Sequence, residues 1–208
     1  MTPDPRYLVT DAVDLAQRYG EPAGPSLAKE ADHVHPHYRA FIAAAPFAIL
    51  ATAGSEGLDA SPRGDPAGFV TIEDDHTLLL PDRRGNNRID SLRNVLDDPR
   101  VALLFLIPGI GETLRVNGRA QISVDPGLLE RFSMDGKTPR SVLIIHVEKV
   151  YFQCARAIVR SGLWDPARQI ARDTLPSTGR MLADLSAGTI DGVAYDRDLP
   201  ERMRGTLY

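Results

Sequence analysis

Between Glu112 and Val124 the chain alternates without a break. Leu114, Val116, Gly118, Ala120, Ile122 and Val124 fall on one side, and Thr113, Arg115, Asn117, Arg119, Gln121 and Ser123 on the other. A period of two is the repeat of a β-strand, and here it gives one core face and one polar face. The span of 13 residues is long for a strand, so a bend is expected near Gly118. The polar face meets water, or part of it lines a polar ligand or a subunit interface. One-faced strands belong to antiparallel sheets, so the rest of the chain must supply partners of that kind.

It supplies them in quick succession. Phe47–Ala53 is apolar and continuous, Gly54-Ser55-Glu56-Gly57 has hairpin character, and Leu58–Arg63 returns antiparallel. Gly64-Asp65-Pro66 breaks or bulges that strand, Gly68–Ile72 continues it, and Glu73-Asp74-Asp75 turns the chain into His76–Leu80. Val101–Ile107 reads as a strand buried on both faces. Ser141–Cys154 is long and apolar on both sides, with His146 inside it as a hydrogen-bonded core residue rather than a catalyst. Strands joined by short loops make a meander, hence an antiparallel sheet or barrel. Helices are expected at Asp11–Tyr19, Ser26–Ala31, Pro36–Ala45, Pro126–Phe132 and Thr178–Leu185, with Phe41 and Ile42 packing the third. Ser133–Arg140 is a loop, and the chain beyond Leu185 is a polar end rich in Gly, Asp and Arg.

The chemistry gathers in Leu79–Asp98. Pro81 closes a strand, Gly85 frees the backbone, and Asn86 or Asn87 is a suitable helix N-cap, with Asp90 three residues after Asn87. Ile89, Leu92, Val95 and Leu96 then recur at helical spacing, and Asp98-Pro99 stops the helix. Arg83, Arg84 and Arg88 fall within six residues of a chain whose net charge is −4. A helix start has unpaired amides and an electropositive dipole end, and guanidinium forks beside it make a phosphate-binding site. The competing reading is a solvated basic turn.

Composition narrows the classes. With pI near 5.7 the chain is a poor nucleic-acid binder. No stretch approaches the ~20 apolar residues of a membrane span, and Met1–Arg6 has no signal-peptide character, so a cytoplasmic protein is expected. Cys154 is the sole cysteine, which excludes an internal disulfide or a zinc–cysteine cluster. His33, His35 and His37 alternate, but Pro36 interrupts them and no companion ligands are near, so no metal site is assigned. No Cys–His–acid set accompanies Cys154. Trp164 is a core anchor or a flat face for a ring-shaped ligand. Leu175-Pro-Ser-Thr-Gly179 spells a cell-wall sorting signal by chance. Pro3, Pro5, Pro22 and Pro25, with Pro36 beyond, mark an arm that wraps the domain or a partner. The expected divisions are an arm over 1–34, a core domain over 35–166 and a C-terminal helical extension over 167–208.

With these residues in view, the chain resembles the pyridoxamine 5′-phosphate oxidase-like flavin-binding split-barrel family, in a subgroup of about this length. The resemblance rests on Phe41-Ile-Ala-Ala-Ala-Pro-Phe47, Ser61-Pro-Arg-Gly64, Asp82-Arg-Arg-Gly-Asn-Asn-Arg-Ile-Asp-Ser-Leu92, Asp98-Pro-Arg-Val101 and the strand Thr113–Ala120. It implies a mainly β fold with flanking helices, a six-stranded antiparallel split barrel, and a homodimer with FMN at the interface. It implies that Arg84, Asn86, Asn87 and Arg88, together with Arg63, hold the FMN phosphate. Ser61, Arg63 and Gly64 would follow the ring and ribityl chain, with Pro81 offering backbone contacts. Thr113 and Arg115 would reach the ring edge from the other subunit, with Trp164 near the flavin. The implied activity is an FMN-dependent oxidoreductase acting on an unknown small molecule. The alternatives are a non-catalytic flavin or haem carrier and a deazaflavin-dependent reductase. Two departures stand out. An Asn-Arg pair replaces the usual Arg-Lys after the turn, and the family's C-terminal substrate-binding Trp…Arg segment is not recognisable. Both remove the support for pyridoxamine phosphate as substrate.

Overall fold

The computed structural model describes residues 4–208, so residues 1–3, the start of the expected arm, lie outside the described residues. The chain divides into two compact units between Glu30 and Ala31. The first carries two short helices, α1 (Ala12–Tyr19) and α2 (Gly24–Ala28). The Asp11 carboxylate caps α1, accepting from the amides of Val13 and Asp14 at 2.9 Å each.

The second unit is a curled antiparallel sheet with helices around it. Its strands are β1 (Phe47–Gly54), β2 (Gly57–Gly64), β3 (Thr71–Asp74), β4 (Thr77–Asp82), β5 (Arg100–Leu106), β6 (Thr113–Ser123) and β7 (Ser141–Gln153). The helices are α3 (Pro36–Ala44), α4 (Asp90–Asp97), α5 (Pro126–Arg131), α6 (Arg156–Ser161), α7 (Thr178–Leu185) and α8 (Gly192–Gly205). The spatial order is β2-β1-β5-β6-β7-β4-β3, every pair antiparallel.

That order corrects the expected six-stranded barrel, since among the described residues the sheet has seven strands and no backbone ladder joins its two edges. The extra strand is β3. Its residues do not continue β2 as their sequence suggests. Gly64-Asp65-Pro66 ends β2, and the chain crosses to the opposite edge to pair with β4. Pro81 also differs from expectation. It does not close a strand but sits buried inside β4, paired with Val142. The β3 pairing stops at Leu79, so Pro81 has a strand neighbour on one side only, where a missing N–H breaks no second ladder.

The core face of β6 follows the sequence pattern as far as Ala120, whereas Val124, expected on that face, lies exposed past the strand's end. Leu114, Val116 and Ala120 of β6 are buried against Leu50, Leu78, Leu103, Phe105, Leu143 and Ile145. The expected bend is present, because the β6–β7 register shifts between Asn117 and Gly118. A Cβ at Gly118 would lie 2.1 Å from the His146 carbonyl oxygen, so only glycine lets the two strands approach there. β5 is less enclosed than expected, with Val101, Leu103 and Phe105 buried and the residues between them half-buried. His146 is exposed on β7 rather than a core residue. Ile42 of α3 is fully buried and Phe41 packs beside it. The polar end beyond Leu185 carries a helix: Gly192–Gly205 forms α8, capped by the Asp191 carboxylate on the Ala194 amide at 3.0 Å. Alternating charge with few apolar residues hid that helix. Among the described residues no helix is long and apolar enough to cross a membrane.

Candidate functional site

Edge strand β2 is tied by side chains to β4 and α4. Arg63 of β2 donates from Nη1 to the Asp82 carboxylate of β4 at 2.6 Å, and from Nη2 to the Ser91 hydroxyl of α4 at 3.1 Å. Ser91 in turn donates to the Asp59 carboxylate on β2. A cavity of about 630 Å³ opens over this network. Its walls are residues 59–64 of β2, Phe69, the run 81–92, and Arg140 with Ser141 at the start of β7. That volume falls in the range of sites for small organic molecules.

The local folding of residues 82–90 explains the cavity's shape. The helix begins later than its sequence signals suggested, at Asp90, with Ile89 as N-cap and no side-chain cap bond. Neither Asn86 nor Asn87 caps it. The Asn86 side-chain oxygen instead accepts from the Arg88 amide at 3.1 Å, turning the loop on itself. Asn87 and Ile89 both hold positive φ, 61° and 54°. Asparagine tolerates that region, whereas a β-branched residue there is strained. Asp90 does not reach back to a cap amide either; its carboxylate pairs with Arg88 Nε at 2.8 Å.

The buried face of α4 is also not the apolar stripe that its spacing suggested. Ser91, Asn94 and Val95 are buried, whereas Ile89 is 47% exposed and Leu96 76% exposed. Asn94 donates to the Thr52 hydroxyl at 3.1 Å, and a Cβ at Gly54 would come within 2.4 Å of the Asn94 side-chain oxygen. The helix therefore docks on β1 through a polar contact that needs a glycine opposite it.

Of the residues singled out in the sequence, Ser61, Arg63, Gly64, Pro81, Arg84, Asn86, Asn87 and Arg88 all line this cavity. Thr113, Arg115 and Trp164 do not. Thr113 is buried at the start of β6. Arg115 donates to the Tyr151 hydroxyl at 2.8 Å and lies 5.3 Å from the centre of that ring. The Trp164 indole N–H donates to the Ile110 carbonyl at 2.7 Å.

The arginines of the turn are not equivalent. Arg83 is withdrawn: its Nε pairs with Asp65 at 2.7 Å, its Nη1 donates to the Phe132 carbonyl, and its guanidinium lies 5.7 Å from the centre of the Tyr208 ring. Asp65, with a side chain only 2% exposed, also accepts from the Tyr208 hydroxyl at 2.6 Å. That hydrogen bond to a carboxylate holds the Tyr208 hydroxyl above its ordinary pKa, with desolvation adding to it. Arg83 thus lines the cavity with its charge already spent on Asp65.

Five arginines (63, 83, 84, 88 and 140) face three aspartates (59, 82 and 90) across the lining, so its formal charge is +2 in a chain of −4. Two buried polar atoms at the cavity have no hydrogen-bond partner among the described residues, Arg63 Nε and Ser141 Oγ. Ser141 stands opposite Asp82 in the β4–β7 pairing. Sequence reasoning missed Asp59, Asp82, Ser91, Arg140 and Ser141. The only signal for the last two was a basic residue at the end of a loop before an apolar strand. Among the described residues no group of three or more His, Cys, Asp or Glu side chains is placed to hold a metal ion.

Residues 34–154 match the family model described as pyridoxamine 5′-phosphate oxidase. No curated protein matches the chain. Among solved structures, HupZ from Group A Streptococcus is 22% identical, with a TM-score of 0.45, covering 56% of this chain and 90% of that one. A pyridoxamine 5′-phosphate oxidase homologue from Lactobacillus delbrueckii is 17% identical, with a TM-score of 0.45 over 58% of this chain and 95% of its own. A protein from Mesorhizobium loti described as FAD-binding is 18% identical, with a TM-score of 0.40 over 56% and 89%. Similarity at this level carries no residue correspondence.

Proposed function

Since this chain belongs to the pyridoxamine 5′-phosphate oxidase family, we propose that it binds FMN in the arginine-lined cavity, as a homodimer, and serves as an FMN-dependent oxidoreductase on a small molecule. The observation that carries the reading is the formal +2 lining in an acidic chain, gathered at a helix start. The two orphaned buried donors fit the group as well, since buried polar atoms are normally paired.

In this reading Arg84, Asn86, Asn87 and Arg88 receive the phosphate. Arg63 spends one N–H of each outer nitrogen on Asp82 and Ser91, and its buried Nε, which has no partner among the described residues, is a donor it can offer. Ser61, Arg63 and Gly64 run along the ring and ribityl chain, and Pro81 adds its backbone carbonyl. Bound flavin supplies the electron-transfer chemistry, and the protein supplies position and hydrogen bonds. Thr113, Arg115 and Trp164, which stay outside the chain's own cavity, act on the cofactor held by the other subunit.

The test is the purified protein's absorption spectrum, followed by chromatography of the group released on heating. Flavin bands and co-migration with FMN are expected. A colourless protein that also fails to bind added FMN overturns the reading. Parallel titration with the deazaflavin cofactor separates the related reductase. Bound FMN that neither NADH, NADPH nor any substrate reduces leaves a carrier. A monomer that binds FMN in full removes the dimer.

A further inference from the structure

We infer that Arg140, from the loop before β7, is a phosphate ligand of this cavity, a role that lies outside the arginine turn. The inference rests on the reading of the cavity as a flavin mononucleotide site. An anionic group is held by cations whose charge is not already spent. Arg63 lies on Asp82 at 2.6 Å, Arg83 on Asp65 at 2.7 Å and Arg88 on Asp90 at 2.8 Å. Among the described residues no carboxylate pairs with Arg84 or Arg140.

Arg140 differs from Arg84 in being held. Its Nη1 donates to the Asn87 side-chain oxygen at 3.0 Å. That oxygen is neutral, so the bond orients the guanidinium without cancelling its charge. One of five N–H donors is used and the others stay available to a ligand. Asn87 accepts this bond from a left-handed backbone conformation at φ 61°, which turns its side chain off the regular path of the loop. Adjacent in sequence is Ser141, 5% exposed, with a buried hydroxyl that has no partner among the described residues. Arg140 and Ser141 therefore bring a full charge and an uncommitted donor to one wall of the cavity. A guanidinium held this way suits a phosphate monoester, whose oxygens accept two parallel N–H bonds.

The experiment titrates FMN and riboflavin, which lacks the phosphate, into wild type, Arg140→Met and Arg140→Lys, followed by flavin fluorescence and calorimetry. Arg140→Met is expected to weaken FMN roughly 10- to 100-fold while leaving riboflavin within about twofold, as loss of a charge-assisted bond requires. Arg140→Lys keeps the charge and is expected to recover part of the loss. Thermal melts of the apo forms are expected to coincide, because Arg140 is exposed. Wild type that binds FMN beside an Arg140→Met that binds it equally well overturns this inference alone. An equal loss of FMN and riboflavin overturns it too, by making the residue's role structural. Wild type that binds neither flavin overturns the cavity reading and this inference together.

Discussion

On the floor of the cavity each charge has its opposite beside it. Arg63 is clasped by Asp82, and Ser91 passes that contact on to Asp59, with the Arg63 and Asp82 side chains each only 16% exposed. On the rim, Arg84 and Arg140 have no acidic partner among the described residues, and Arg88 keeps one while remaining 75% exposed. The floor and the rim share arginine as their working residue and use it in different ways. A guanidinium taken out of water must be paired, so the floor's charges are bound into the fold. A guanidinium left in water costs little alone and stays free for a ligand. Substitutions on the floor should therefore move stability, and substitutions on the rim should move binding.

The largest effect is expected from Asp82→Ala. It strands Arg63 without its carboxylate and unties the side-chain bridge between β2 and β4. Breaking such a pair costs about 3 kcal/mol. For a chain of this size that lowers Tm by roughly 6–12 °C. Thermal denaturation without ligand measures it, and a shift under about 2 °C would remove the floor's structural role.

Next comes Gly54→Ala, at the end of β1 where α4 docks on it. The new Cβ would sit 2.4 Å from Asn94 Oδ1 and 3.0 Å from Asn94 Cα, so the helix must shift or Asn94 must leave Thr52. Overpacking of this kind costs about 2 kcal/mol. It also sharpens the comparison, because α4 carries Ser91 of the floor and follows directly on the turn that holds Arg84 and Arg88 of the rim. If the floor sets the rim's geometry, Gly54→Ala weakens FMN binding as well as stability. A melt that falls while FMN affinity holds would show the rim to be independent of its helix.

Why the sequence disclosed some of this and hid the rest follows from the range of each interaction. Period-two patterning announced β6 and its bend, since both depend on neighbours along one strand. The hairpin of β1 and β2 was legible from Gly54-Ser55-Glu56-Gly57 for the same reason. The crossing of Thr71–Asp74 to the other edge was not, because Gly64-Asp65-Pro66 marks a break without giving its direction. The helix start was misplaced by two or three residues. Asn87 has the chemistry of a cap, but it bonds Arg140, 53 positions away, and nothing local reports that. The eight cavity residues proposed from resemblance lie on two contiguous runs, and such runs are what a motif can carry. Asp82 lay inside those runs and Ser91 three residues beyond, and both were missed, because their roles come from Arg63 across the sheet.

On the rim the comparison predicts a split between Arg84 and Arg88. Arg84→Ala is expected to weaken FMN by about 1.5 kcal/mol, the loss of one charge-assisted contact. Arg88→Ala is expected to cost about a third as much, because Asp90 already shares its charge and leaves the pair exposed. Both should leave stability, read from thermal melts, unchanged within about 0.5 kcal/mol. Isothermal titration of the two variants decides it, and an equal loss from both would mean that the Asp90 pair opens when the ligand arrives.

An effect of similarly small size separates strain from binding at a single residue. Ile89 sits at the rim with φ 54° and nearly half its surface exposed, so its side chain adds little packing to offset an unfavourable backbone. Asn occupies that region more readily, so Ile89→Asn is expected to stabilise the protein by about 0.5–1 kcal/mol, read as a rise in Tm without ligand. If the left-handed turn is there to aim the Asp90 and Ser91 amides into the cavity, the variant keeps FMN affinity, because the turn is preserved and only its strain is relieved. Replacing Ile89 with Val retains the β-branch and should change neither quantity. A stabilised Ile89→Asn with weakened FMN would instead assign the isoleucine side chain itself to the ligand, and the rim would then hold an apolar contact beside its charges.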